Sequence, residues 1–326
     1  MKYGELVQRA AGITWKHKSL WPFGIALAFF GGSVGSAGNG NGIQYTFGRQ
    51  DLGRLGCIMP PNWEQIATAA LALVAVLGIA VLILTIVGVL VRYTSIGALI
   101  GMTAEAERAG DVSFGTGLRR GWTTLIRVFL ISLVVGIAAF LAVFVFVIIV
   151  IAAVALVALP AVPMFRAGGN WEYAGVAWIV LFGILLTTIV ILAAIILTGA
   201  ISLVKEYALR SAVLSDSQVF DAIGHGIAMV KTHLKESVWM WIVLGLIQMA
   251  LGIVLMPLAI GIGGATLIPA LALWRATETA VLPMLVALPV LIIGGLILVA
   301  IEGIYLTFQS VTWTLVYREL EPASEA

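Results

Sequence analysis

An all-α, polytopic integral membrane bundle is the fold class this sequence predicts, and three observations predict it. Hydrophobic residues make up 61% of the 326-residue chain and charged residues only 10%, where a soluble domain carries roughly 25% charged. The apolar residues fall in long uninterrupted runs, and about 20 such residues cross the hydrocarbon core as a helix. Lys and Arg, finally, collect in alternate connections between the runs, as they do in a chain that crosses a membrane repeatedly. Barrel strands alternate in short segments and these runs do not, which sets a β-barrel aside.

Six spans are expected, at Leu20–Ala37, Ile66–Val91, Val128–Leu159, Ala177–Val204, Val238–Gly263 and Leu285–Tyr317. Residues 1–326 read as a single transmembrane domain. Before the first span, Tyr3, Leu6, Val7, Ala10 and Ile13 share one face of a helix over residues 1–18. That pattern suits an amphipathic helix in the membrane interface or a helical extension of the first span. The basic start followed by "LWPFGIALAFF" resembles a signal peptide, but its n-region of about 18 residues is long, so a retained anchor is expected.

Orientation follows from charge. Only Arg49, Arg54, Arg166 and Arg275 fall on one side, leaving fourteen of the 18 Lys and Arg on the other. Both termini are therefore expected in the cytoplasm.

Between the second and third spans, and again between the fourth and fifth, the chain becomes polar enough for a cytoplasmic helical elbow. In the second elbow, Arg210–Ser237, "KEYALRSAVL" continues the fourth span and "SDSQ" offers Ser215 or Asp216 as an N-cap. Val219, Phe220, Ile223, Ile227, Val230 and Leu234 then recur at helical spacing, with Asp221, His225, Lys231 and Lys235 on the remaining surface. Asp216, Asp221, His225, Lys231 and Lys235 form a candidate docking surface. The first elbow matches at an offset of 105: Asp111 with Asp216, Leu118 with Ile223, Gly121 with Gly226. These matches suggest duplicated span–elbow–span units at about 66–159 and 177–263, and chance in a glycine-rich chain is the alternative. The third span, 32 residues without a charge or about 48 Å of helix, must tilt, break or project. The stretches "NGNGIQYTFGRQDLGRLGCIMPPNW" and "PMFRAGGNWEY" read as outer loops.

Few residues offer chemistry. A net charge of +2 and the lack of basic runs interleaved with aromatics argue against nucleic acid. The single cysteine, Cys57, allows no intrachain disulfide and no cysteine-based metal site. The histidines His17, His225 and His233 lie outside the spans, where they supply no axial ligands to a buried haem. His225 and His233 lack a third metal ligand. Gly31–Gly42 ends a span rather than joining a strand to a helix, so it is not a phosphate loop. Gly261–Gly264 and Gly294–Gly295 read as places where helices approach closely. No catalytic residue, metal or cofactor is expected. Glu302 is the exception to a bland interior: a carboxyl group midway along the sixth span, followed at helical spacing by Tyr305, Gln309 and Thr312. With Gln248 it makes a candidate intramembrane polar site, read either as a protonated carboxyl bonding between helices or as part of a transport or proton path.

The segments "ITWKHKSLWPFGIALAFFGG", "YALRSAVLSDSQVFDAIGHGIAMVK" and "LTFQSVTWTLVYREL" resemble a loose group of bacterial and archaeal polytopic proteins. That group is related to the membrane domain associated with glycerophosphodiester phosphodiesterases. The resemblance implies a prokaryotic plasma membrane and carries over no catalytic residue. A non-enzymatic scaffold or accessory subunit is expected, docking lipids, other membrane subunits or further copies of itself. The alternative is a permease-like transporter component whose elbows act as coupling helices, with Glu302 lining the path.

Overall fold

The computed structural model describes residues 3–31, 63–110, 112–167, 169–277 and 281–321. Every regular element among them is helical: α1 (Tyr3–Lys16), α2 (Trp21–Gly31), α3 (Trp63–Ala109), α4 (Phe114–Ala158), α5 (Ala161–Ala167), α6 (Asn170–Leu214), α7 (Val219–Thr232), α8 (Leu234–Thr277) and α9 (Val281–Leu320). Five of these, α3, α4, α6, α8 and α9, are long and apolar enough to cross a membrane. The first expected span is described only as far as Gly31, so the sixth crossing remains an expectation. Asp111, Cys57 and the glycine-rich stretch after Gly31 lie outside the described residues.

Packing divides the chain into two compact units, Lys2–Leu125 with Leu246–Leu315, and Ile126–Gly245 with Val316–Ala326. In the first unit, α1 buries Leu6, Ala10 and Thr14. It is a helix in its own right, not an extension of α2: His17 leaves the helical conformation and a short 3-10 turn, Lys18–Leu20, follows. The indole N–H of Trp21 donates to the Thr14 carbonyl at 2.9 Å and the Ser19 hydroxyl donates to the Val112 carbonyl at 2.9 Å, so the joint is held from both sides. Leu20, Phe23, Ala98, Leu99 and Met102 form a buried cluster there, and Phe23 stacks on Phe114 with centroids 4.8 Å apart. The α2 and α9 backbones touch at Gly24 and Gly303, where a Cβ on either residue would collide with the other helix. This is the small-residue contact by which apolar helices gain dispersion energy in lipid, where hydrophobic burial supplies none.

Glycines expected to allow close approach do so unevenly. Gly294 faces the Ile262 side chain, whereas Gly261, Gly263 and Gly295 face open space. Further tight contacts sit at Gly24, Gly97, Gly117, Gly121 and Gly303. Sequence position alone does not tell which side of a helix meets a neighbour.

The third expected span does not break. α4 runs 45 residues without interruption, about 68 Å, and the chain turns only at Leu159–Pro160. Excess length is general rather than peculiar to it, since α3, α6 and α8 have 47, 45 and 44 residues. α8 continues through Pro257 and Pro269, and α9 through Pro289. Neighbouring polar groups and local adjustment tolerate such prolines within membranes. The stretch read as a second outer loop is largely helical: α5 takes Pro163 in its first turn, where proline's missing N–H costs nothing, and α6 begins at Asn170.

Burial is concentrated in one part of each long helix. Along α3, apolar side chains from Leu71 to Ile86 are exposed, while Ala98, Leu99, Ile100 and Met102 are fully buried. Along α6, Val176 to Ile196 present exposed apolar side chains, and Tyr207 to Val213 are buried on consecutive positions. Water would not tolerate apolar surface on that scale, and hydrocarbon would.

Candidate docking surface at the second elbow

The second elbow lies within the unit Ile126–Gly245 with Val316–Ala326. It is built on the end of α6, where a polar set interrupts an otherwise apolar helix. Tyr207, Arg210 and Ser211 are buried, Arg210 to 2% exposure. The Arg210 guanidinium donates to the Glu206 carboxylate at 2.5 Å and to the Glu206 carbonyl at 2.7 Å. A buried guanidinium is tolerated because the ion pair and hydrogen bonds replace its hydration. The Tyr207 hydroxyl meets the Ser237 hydroxyl at 2.7 Å, and Ser237 donates to the His233 carbonyl at 2.7 Å, tying the start of α8 to α6. Tyr317 closes the set: its ring lies 6.3 Å from that of Tyr207 and 6.2 Å from that of His225, and its hydroxyl donates to Glu321 at 2.9 Å.

Between α6 and α7 the chain reverses at Asp216, whose φ of 56° is left-handed. Asp tolerates that conformation better than most residues with a Cβ. Asp216 pairs with Arg127, and the Ser211 and Ser217 hydroxyls meet at 3.0 Å. The expected N-cap at Ser215 or Asp216 is not the one used. Both residues are spent on the turn, and α7 is capped by Gln218 in extended conformation without a side-chain hydrogen bond.

α7 packs on α6 through Ala222, Gly226, Met229 and Val230. At Gly226 a Cβ would stand 2.9 Å from both the Val204 carbonyl oxygen and the Ala208 amide nitrogen, so only glycine lets α7 lie this close. The buried face differs from the expected one. Val230 is buried and Ile223 half-buried as expected, but Phe220 is 77% exposed and Ile227 39%, because the helix is turned so that Ala222, Gly226 and Met229 join Val230 on the buried side. Of the expected docking residues, Asp216 is in the turn, Asp221 and His225 are exposed on one side of α7, and Lys231 and Lys235 are exposed at its far end and the start of α8. They are exposed on different sides of the elbow and do not converge on a pocket.

The other expected site belongs to the unit Lys2–Leu125 with Leu246–Leu315. Glu302, Gln309 and Gln248 are each half-buried there, with Tyr305, Thr307 and Thr312 buried nearby on α9. No hydrogen bond or ion pair joins the three to one another among the described residues. Gly303, the neighbour of Glu302, is pressed against the α2 backbone at Ile25. No group of three or more His, Cys, Asp or Glu is arranged to hold a metal ion among the described residues.

The buried set Tyr207, Arg210, Ser237 and Tyr317 is what sequence reading missed as a unit. Its signal was present: Arg210 sits in an apolar helix three residues after a tyrosine, yet it reads as one more basic residue beyond a span. No protein-family model, no curated protein and no solved structure matches this chain.

Proposed function

We propose that the chain is a non-enzymatic scaffold or accessory subunit of a prokaryotic plasma membrane, with its termini and both elbows in the cytoplasm. The observation that carries this reading is the second elbow. Hydroxyl contacts tie the end of α6 to the turn before α7 and to the start of α8, and α7 presses on α6 at Gly226, while its Asp221–His225 side stays exposed and polar. A surface held rigid before binding loses little entropy on binding, which suits a docking platform. Membership of the group suggested by the entry, elbow and tail segments belongs to the same proposal.

Co-purification after mild detergent extraction tests it. A stable membrane or cytoplasmic partner should be recovered with the wild-type chain and lost with Asp221→Ala/His225→Ala. The reading is sunk if that double variant retains everything the wild type retains. Cysteine labelling tests the orientation: Gln218 should be closed to an impermeant outer reagent and Arg275 open to it. A second reading is favoured by the shape of α7, a 14-residue helix set off from α6 and α8 by breaks at both ends, as a coupling helix would be. Under that reading the recovered partner is an ATPase, and Glu302→Gln abolishes transport without loss of stability.

A further inference from the structure

α7 has three sides, and only two have been given an occupant. Ala222, Gly226, Met229 and Val230 face α6, and Asp221 and His225 share a polar side. The third side carries Phe220 and Ile227, exposed and apolar, and at 100° per residue Lys231 falls directly beside them, one turn after Ile227. Lys235, also exposed, follows one turn later at the start of α8, and the exposed indole of Trp239 comes next. Of the acidic groups near this side, Asp221 lies on the polar one, Asp216 is paired with Arg127, and Glu236, next to Lys235, is half-buried in the first turn of α8. No ion pair engages Lys231 or Lys235 among the described residues.

Depth decides what meets that side. α6 carries no charge from Tyr173 to Val204, then Lys205 and Glu206 follow directly. Hydrocarbon therefore gives way to headgroups at about Val204, and Gly226 lies against the backbone of Val204 and Ala208. α7 is thus held at headgroup level, with a phenylalanine and an isoleucine beside Lys231 and an exposed Lys235 just past the break at His233, both with aliphatic stems that let the ammonium groups reach outward.

We propose that α7 lies in the plane of the membrane, with Phe220 and Ile227 entering the acyl boundary and Lys231 and Lys235 holding the phosphates of anionic phospholipids. This rests on the docking-surface reading and deepens it, since it assigns lipid to one side of α7 and leaves the Asp221–His225 side to a protein.

The test uses the full chain with Cys57→Ser, in nanodiscs of phosphatidylcholine with or without phosphatidylglycerol. A fluorophore at Phe220→Cys should be quenched by brominated acyl chains several-fold more than one at Asp221→Cys, with aqueous iodide giving the opposite order. Equal access of iodide to both positions overturns the proposal. So does protection of position 220 from both quenchers, which would put a protein or a second copy there. In parallel, the wild type should retain phosphatidylglycerol over phosphatidylcholine through detergent washing. Lys231→Glu/Lys235→Glu should reduce that preference about ten-fold or more. An unchanged preference in a double variant that elutes as a single species also overturns it. Loss of the co-purifying partner through Asp221→Ala/His225→Ala is read separately, so failure of one claim is not mistaken for failure of the other.

Discussion

The first and second elbows are two solutions to one problem, turning a long apolar helix back on itself at the membrane edge. In both, a glycine of the returning helix presses on the backbone of the helix before it: Gly121 on Thr94, Gly226 on Val204 and Ala208. In both, a left-handed residue makes the turn, Gly110 with φ 78° in the first and Asp216 with φ 56° in the second. They differ after the glycine. The first elbow runs straight on as α4, whereas the second breaks at His233 between α7 and α8. The first is therefore only a hairpin, but the second has a separate helix to offer. Gly121 and Gly226 are the glycines that the sequence matches at an offset of 105. The contact partners do not keep one offset, because Ala98 and Gly121 are further apart in sequence than Ala208 and Gly226.

The largest expected effect separates the two glycines. A Cβ at Gly121 would collide with the Thr94 carbonyl oxygen, which is backbone and cannot rotate away, whereas at Gly226 the nearest backbone atoms are 2.9 Å off. Gly121→Ala should cost about 3 kcal/mol, at the upper end for overpacking, and Gly226→Ala about 1. Gly224, with nothing within 4 Å, is the control: Gly224→Ala should be neutral or stabilise by up to ~1 kcal/mol through helix propensity. Thermal unfolding in detergent measures all three. If Gly226→Ala proves as costly as Gly121→Ala, the second elbow is as rigid as a plain hairpin.

Next come the ion pairs. One from each elbow is compared, Arg210–Glu206 with side chains 2% and 32% exposed, and Arg120–Glu105 with 42% and 35%. Glu206→Ala weakens the compensation of a buried guanidinium and should cost about 1–3 kcal/mol. Glu105→Ala leaves its arginine able to reach water and should cost about 0.2–1 kcal/mol. Equal losses would mean that Arg210 is hydrated in the membrane-bound protein.

Much of this architecture is legible in the sequence, and what is not has a common cause. The long helices, the two elbows and the reversal near Asp216 follow from hydropathy and turn chemistry, which are local. The buried face of α7 does not. Periodicity points to Phe220 and Ile227, but at a membrane edge a large apolar residue is as well placed against lipid as against protein, so the pattern has two solutions. Arg210 is obscured in the same way, since a basic residue beyond a span usually means solvent, and only tertiary contacts show that it is enclosed. Glu302 stands out in the sequence, but the close helix contact beside it, Gly303 against α2, is carried by a residue without a side chain.

The turns should respond more weakly. Gly110→Ala forces a Cβ into left-handed backbone and should cost about 1–2 kcal/mol, because no neighbour lies within 4 Å to add a steric term.

The smallest effect sharpens the comparison most. Asp216 both makes its turn and pairs with Arg127, whereas Gly110 can only make a turn. Asp216→Asn separates the two roles, since asparagine also tolerates the left-handed region but carries no charge. Both partners are exposed, so the pair should contribute about 0.2–1 kcal/mol at low salt. High salt screens exposed charges, and the difference between Asp216→Asn and the wild type should then vanish. Unfolding at low and high salt reads this directly. A loss well above 1 kcal/mol that persists at high salt would place the Arg127–Asp216 pair in a drier environment than its exposure indicates, as it would be if a bound partner covered the second elbow.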